Sequence, residues 1–109
     1  MSRDDAYLLD ILQAARLATE YLHDATLEGF LDDVRLQDSV IRRLEIIGEA
    51  ARRVSEQTRS QHPDLPWREM VTLRNIVIHE YDNVDLTIVW DTVKKDLPPL
   101  IGALDQIVP

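Results

Sequence analysis

The stretch Asp38–Thr58, DSVIRRLEIIGEAARRVSEQT, decides the fold. Val40, Ile41, Leu44, Ile47, Ala50, Ala51 and Val54 recur at spacings of three and four, the period of an α-helix with one buried stripe. It is the longest uninterrupted pattern in the chain, and Asp38 or Ser39 can cap its start. Gly48 sits inside it at a cost of roughly 1 kcal/mol of helix propensity against alanine. Either a neighbouring helix approaches closely there, or the glycine is simply tolerated.

Toward the N-terminus, Leu8, Ile11, Leu12, Ala15, Ala18 and Leu22 repeat the same period, so Tyr7–Leu22 reads as a second amphipathic helix, capped by Ser2 or Asp4. Between the two, Asp24–Leu36 holds Gly29, several acids and the apolar group Leu27, Phe30 and Leu31. It reads as a connector or a short, loosely packed helix.

Toward the C-terminus, His62-Pro63-Asp64-Leu65-Pro66 stops the central helix, because each proline pushes the residue before it out of helical geometry. Pro66 then suits the start of a helix that Trp67 anchors and that runs to about His79, where Asp82-Asn83 supplies turn chemistry. A last helix begins near Asp85 with Leu86, Val89, Trp90 and Val93 inward. Pro98-Pro99 must kink or interrupt it before Leu100, Ile101, Leu104 and Ile107 resume the stripe. No period-two strand and no internal repeat is present, so the expectation is all-α: one domain over residues 1–109, an antiparallel bundle of four to five helices.

Composition narrows the function. The 109 residues are 45% hydrophobic with 3 Gly and 5 Pro, the profile of a globular chain. The absence of cysteine removes disulfides, thiolate zinc sites and cysteine nucleophiles together. No stretch approaches the ~20 apolar residues of a membrane span, and the polar start Met1-Ser2-Arg3-Asp4-Asp5 shows no export signal, so a cytoplasmic protein is expected. The net charge of −8 opposes broad nucleic-acid affinity. The arginines nonetheless gather in the middle, at Arg42, Arg43, Arg52, Arg53, Arg59, Arg68 and Arg74, while acids crowd both ends, an arrangement that permits a basic pocket on an acidic body.

The densest group of chemical side chains is Arg74-Asn75-Ile76-Val77-Ile78-His79-Glu80-Tyr81. At about 100° per residue, Asn75 and His79 fall one turn apart on one side of the helix, and Tyr81 returns toward the face of Arg74. Histidine exchanges protons near neutral pH, arginine offers a fixed charge and a planar fork for phosphate oxygens, and asparagine can orient the imidazole or donate to phosphate. The set suits RNA cleavage through the 2′-hydroxyl and demands neither metal nor cofactor. Two proton-transfer roles with one histidine per chain in the cluster imply a composite site, which a two-fold homodimer would supply. Spacing alone equally allows an ordinary helix end with His79 favoured by the helix dipole. Elsewhere the plainer readings are solvated His23 and His62, core Trp67 and Trp90, and Glu45 and Glu49 paired with Arg42, Arg52 or Arg53 on their own helix.

The segments Ile41-Arg42-Arg43-Leu44-Glu45-Ile46-Ile47-Gly48-Glu49-Ala50, Leu65-Pro66-Trp67 and Arg74 to Tyr81 resemble those of HepT-like toxins in the HEPN superfamily, across nearly the whole chain. Arg74 and His79 fit that superfamily's Arg-x4-6-His ribonuclease motif. The resemblance implies a helical-bundle homodimer with a metal-independent endoribonuclease site at its interface, built from Arg74, Asn75 and His79. It also implies an MntA-type antitoxin of minimal nucleotidyltransferase fold, as in type VII toxin-antitoxin pairs, that transfers AMP to a tyrosine beside the motif. Tyr81 occupies that position, and Leu73 stands where relatives often carry methionine. A different class stays open, a non-catalytic HEPN subunit that holds nucleotide or substrate for a nucleotidyltransferase partner. A third reading is a purely structural dimeric adaptor.

Overall fold

The computed structural model describes the backbone of residues 2–79 and 85–108, and the side chains of the same residues except 76–79. Helix α1 spans Arg3–Tyr21, α2 Leu27–Leu31, α3 Val34–Arg53, α4 Glu56–Gln61 and α5 Trp67–His79. The C-terminal rod is α6 (Leu86–Asp91), a π-helical turn (Thr92–Asp96) and α7 (Leu97–Asp105). Four long rods with two short helices between them make the all-α bundle that the periodicity predicts.

The stripes form one core. Leu8, Ile11, Leu12, Ala15, Ala18 and Leu22 from the first rod join Val40, Leu44, Ile47, Ala50, Ala51 and Val54 from the second, with Val89, Val93, Leu97, Leu100 and Leu104 from the last. Ile41, Trp67 and Trp90 pack against this core from its margin. Polar contacts fix the directions. Asp4, at the start of α1, accepts from the backbone N–H of Ser55, just past the end of α3, at 3.0 Å, so the two rods are antiparallel. Arg16 pairs with Asp105, and the Lys94 Nζ donates to the Leu22 carbonyl at 2.6 Å, so α7 runs antiparallel to α1.

Ser2 caps α1 through a reciprocal box with Asp5, which leaves Asp4 for its long-range contact. Asp4 also accepts from the Ser55 and Thr58 hydroxyls, and these hydrogen bonds hold its carboxyl below the ordinary 3.8.

The connector differs from its loose reading. Thr26 caps α2, and Phe30 is fully buried with its ring 5.7 Å from that of Trp90, so the segment is pinned to the C-terminal rod. Helix α3 starts earlier than Asp38, because Asp33 accepts from the Leu36 N–H and Gln37 ties its amide to the Phe30 and Leu31 carbonyls. It also ends before Thr58: Val54 leaves the helix in extended geometry and Ser55 caps the separate α4.

Helix α5 starts where Pro66 and Trp67 place it, with the Trp67 indole donating to the His62 carbonyl at 2.9 Å, while the turn expected at Asp82-Asn83 lies outside the described residues. The two prolines do not break the last rod. They occupy its first α-helical turns after the π-helical turn, in which the Leu97 N–H reaches the Thr92 carbonyl, and that widened geometry relieves the clash a proline ring makes with the preceding turn.

Candidate functional site

Arg74 is positioned by α3. A Cβ added to Gly48 would lie 2.6 Å from the Arg74 backbone nitrogen and 2.7 Å from the Arg74 Cβ, closer than any real methyl approaches such atoms. The glycine is therefore there for close approach, and the residue it admits is the motif arginine. Its φ is not left-handed, so packing and not turn geometry selects it.

One residue further along α3, Glu49 forms an ion pair with Arg74 through Nε and Oε1. That Nε is buried, and the contact is an ion pair rather than an aligned hydrogen bond. Both side chains stay about one-third exposed, at 34% for Arg74 and 31% for Glu49, so the guanidinium still reaches solvent. Glu49 also lies 3.7 Å from Arg52 and 4.0 Å from Arg53. Three guanidinium groups thus converge on one carboxylate, leaving a local surplus of positive charge on a chain whose total is −8.

Glu49 is shared with a shallow cleft of about 130 Å³ between α1 and α3, lined by Tyr7, Asp10, Arg42, Ile46, Glu49, Ala50 and Arg53. Arg42 reaches the cleft while paired with Glu45 at 2.6 Å. The middle arginines divide by role. Arg59 stacks 5.6 Å over the Trp67 ring and donates to the Ala51 carbonyl at 2.8 Å, closing the C-terminal end of α3. Arg42 and Arg53 line the cleft, and Arg74 meets the Glu49 that also lines it.

The remaining motif residues lie on the same helix. Asn75 is exposed beside Arg74. His79 is the last described residue of α5, one turn after Asn75, and its side chain lies outside the described residues. Tyr81 lies outside them altogether. What motif reading missed is the α3 half of the site. Glu49 reads in sequence as a partner for its own helix's arginines, whereas the structure adds Arg74 from α5. The signal available was the glycine beside it, in Ile47-Gly48-Glu49-Ala50.

The family described as Ribonuclease HepT-like matches residues 11–107. A protein of Thermococcus cleftensis described as a probable ribonuclease HepT is 43% identical over 101 residues, covering 93% of this chain and 92% of that protein. A protein of Methanocaldococcus jannaschii, by name a candidate RNase, is 42% identical over 102 residues, covering 92% of this chain and 94% of its own length. Another, from Caldanaerobacter subterraneus, is 35% identical over 102 residues, covering 94% and 91%. No solved structure matches the chain. With a helical bundle, an arginine seated on a glycine-bearing partner helix and a family match over almost its full length, this chain belongs to the HepT-like ribonucleases of the HEPN superfamily.

Proposed function

We propose that the protein is the RNA-cleaving toxin of a type VII HepT/MntA toxin-antitoxin pair, acting in the cytoplasm as a homodimer without a metal ion. The observation that carries this reading is Arg74, anchored from below by Gly48 and Glu49 yet open to solvent. A guanidinium held in that way can meet a phosphate without first being ordered.

The reaction is transesterification within RNA. The 2′-oxygen attacks the adjacent phosphorus as one His79 takes its proton, the bond from phosphorus to the 5′-oxygen breaks, and the His79 of the second copy protonates that oxygen. The products are a 2′,3′-cyclic phosphate and a 5′-hydroxyl. Arg74 offsets the charge that grows on the phosphoryl oxygens, and Asn75 orients the imidazole or donates to phosphate. An MntA-like nucleotidyltransferase transfers AMP from ATP to Tyr81: the phenolic oxygen, losing its proton, attacks the α-phosphorus and pyrophosphate leaves. The added phosphodiester and adenosine then compete with RNA for Arg74 and cover the cleft without unfolding the chain.

The test is an RNA digest in chelator. Wild type should yield 2′,3′-cyclic ends, His79→Ala and Arg74→Ala should yield none, and sedimentation should give twice the 12.6 kDa chain mass for all three. Equal cleavage by wild type and His79→Ala ends the nuclease assignment. A strict monomer with full activity ends the composite site. No cleavage by wild type, together with nucleotide binding that requires Arg74, points to a non-catalytic subunit serving a nucleotidyltransferase. Co-expression with the neighbouring gene should add AMP-sized masses that vanish in Tyr81→Phe, which should stay toxic. Full neutralisation of Tyr81→Phe, with no adduct on wild type, leaves blockade by a bound partner instead.

A further inference from the structure

We infer that Glu49 is the positioning residue for Arg74, holding the guanidinium by its Nε side so that the terminal edge, Nη1 with Nη2, is presented to the scissile phosphate. This rests on the nuclease reading above.

Three observations support an orienting carboxylate over one that merely competes with substrate. The ion-pair contact falls on Nε, the nitrogen nearest the chain, and that atom is buried while the side chain as a whole remains about one-third exposed at 34%. Arg52 and Arg53 share the same carboxylate, so binding Arg74 does not neutralise the site. Gly48 brings the backbone of Arg74 so close to α3 that Glu49, the next residue along, meets the guanidinium without either helix moving. An arginine fixed at backbone and at Nε retains few rotamers. Its phosphate-binding edge is then set before substrate arrives, which is where the rate advantage of orientation comes from.

The test compares Glu49→Gln, which keeps shape and removes charge, with Glu49→Asp, which keeps charge, each made alone and in an Arg74→Ala background. In the RNA-cleavage assay Glu49→Gln should lower kcat by about tenfold to a hundredfold with little change in KM, and Glu49→Asp should restore part of the loss. In the Arg74→Ala background, which cuts no RNA, the pair is read by thermal melts, where Glu49→Gln should lower the melting temperature less than it does with Arg74 present. By NMR, the Arg74 Nε–H resonance should shift and exchange faster in Glu49→Gln. Cleavage by Glu49→Gln at or above the wild-type rate overturns the proposal and makes Glu49 a competitor for the phosphate. An equal fall in melting temperature with and without Arg74 overturns it in favour of a general effect on folding. A wild type that cuts no RNA brings down the nuclease reading, while the Nε resonance judges separately whether Glu49 holds Arg74; an unchanged resonance refutes the hold.

Discussion

Helices α1 and α5 both pack on α3, and they bring it opposite things. From α1 come Leu8, Ile11, Leu12, Ala14, Ala15 and Ala18, all buried, with the polar contacts pushed out to the ends of the helix. From the described part of α5 comes one fully buried side chain, Met70, and beyond it a guanidinium set against a carboxylate. The first seam gains its free energy from apolar area removed from water, which is indifferent to direction. The second gives up apolar packing at Gly48 and places charge, which depends strongly on direction. One side of α3 therefore supports stability, and the other supports position.

The largest effect that should sharpen this contrast comes from the apolar seam. Ile11→Ala or Ile47→Ala removes a fully buried side chain and should cost about 2–5 kcal/mol in urea unfolding. Where the variant stays folded, its cleavage rate should be close to wild type. A large loss of rate in fully folded Ile11→Ala would show that the two seams are not separate.

Gly48→Ala is next. Overpacking costs roughly 1–3 kcal/mol, and better helix propensity offsets about 1 of this, so a modest net loss of stability is expected. Cleavage should fall further than that loss explains, since the atoms that must move belong to Arg74. A Gly48→Ala variant as active as wild type and more stable would mean that the close approach has no functional purpose.

A smaller effect is expected at the polar end of α1. The Asp4 carboxyl is held below its ordinary 3.8 by the Ser55 and Thr58 hydrogen bonds. Its contribution is complete above that pH and fades as pH falls through the lower folded value. Thermal melts of wild type and Asp4→Asn should differ at neutral pH and converge in acid. Curves that stay parallel down to the lowest pH would assign the difference to packing. The smallest effect belongs to Arg16→Ala: its partner Asp105 is exposed, and such a pair is worth under about 1 kcal/mol.

The legible part of this molecule is the part written locally. Stripes at spacings of three and four named nearly every core residue, and Pro66 with Trp67 gave α5 its start, because periodicity and proline geometry act within a few residues. Caps were harder. Asp33 is chemically equal to the expected cap Asp38, and Ser55 lies in a stretch read as unbroken helix; what selects both is distant: Ser55 is held by Asp4, while Asp33 follows a turn pinned by Phe30 on Trp90. Arg74, Asn75, His79 and Tyr81 were found as a cluster by proximity along the chain. Glu49 and Gly48 were not joined to them, because the contact that joins them spans two helices. The imidazole of His79 and the whole of Tyr81 lie outside the described residues, so their roles rest on the motif.

The π-helical turn at Thr92–Asp96 also sets the bookkeeping of chain length. Through it, the buried positions Val89, Val93, Leu97, Leu100 and Leu104 keep to one side of a rod that two prolines would otherwise divide. Each residue of an α-helix turns its successor by about 100°. Deleting one residue elsewhere in the rod would rotate everything beyond it by that angle. Deleting one between Thr92 and Asp96 would instead turn the π-helical turn, which takes up one extra residue, into an ordinary one and leave Leu100 and Leu104 near the core. The proline rings would then press on carbonyls with no widened turn to receive them. The length of this short segment is thus more tightly constrained than the identity of its exposed lysine, Lys95.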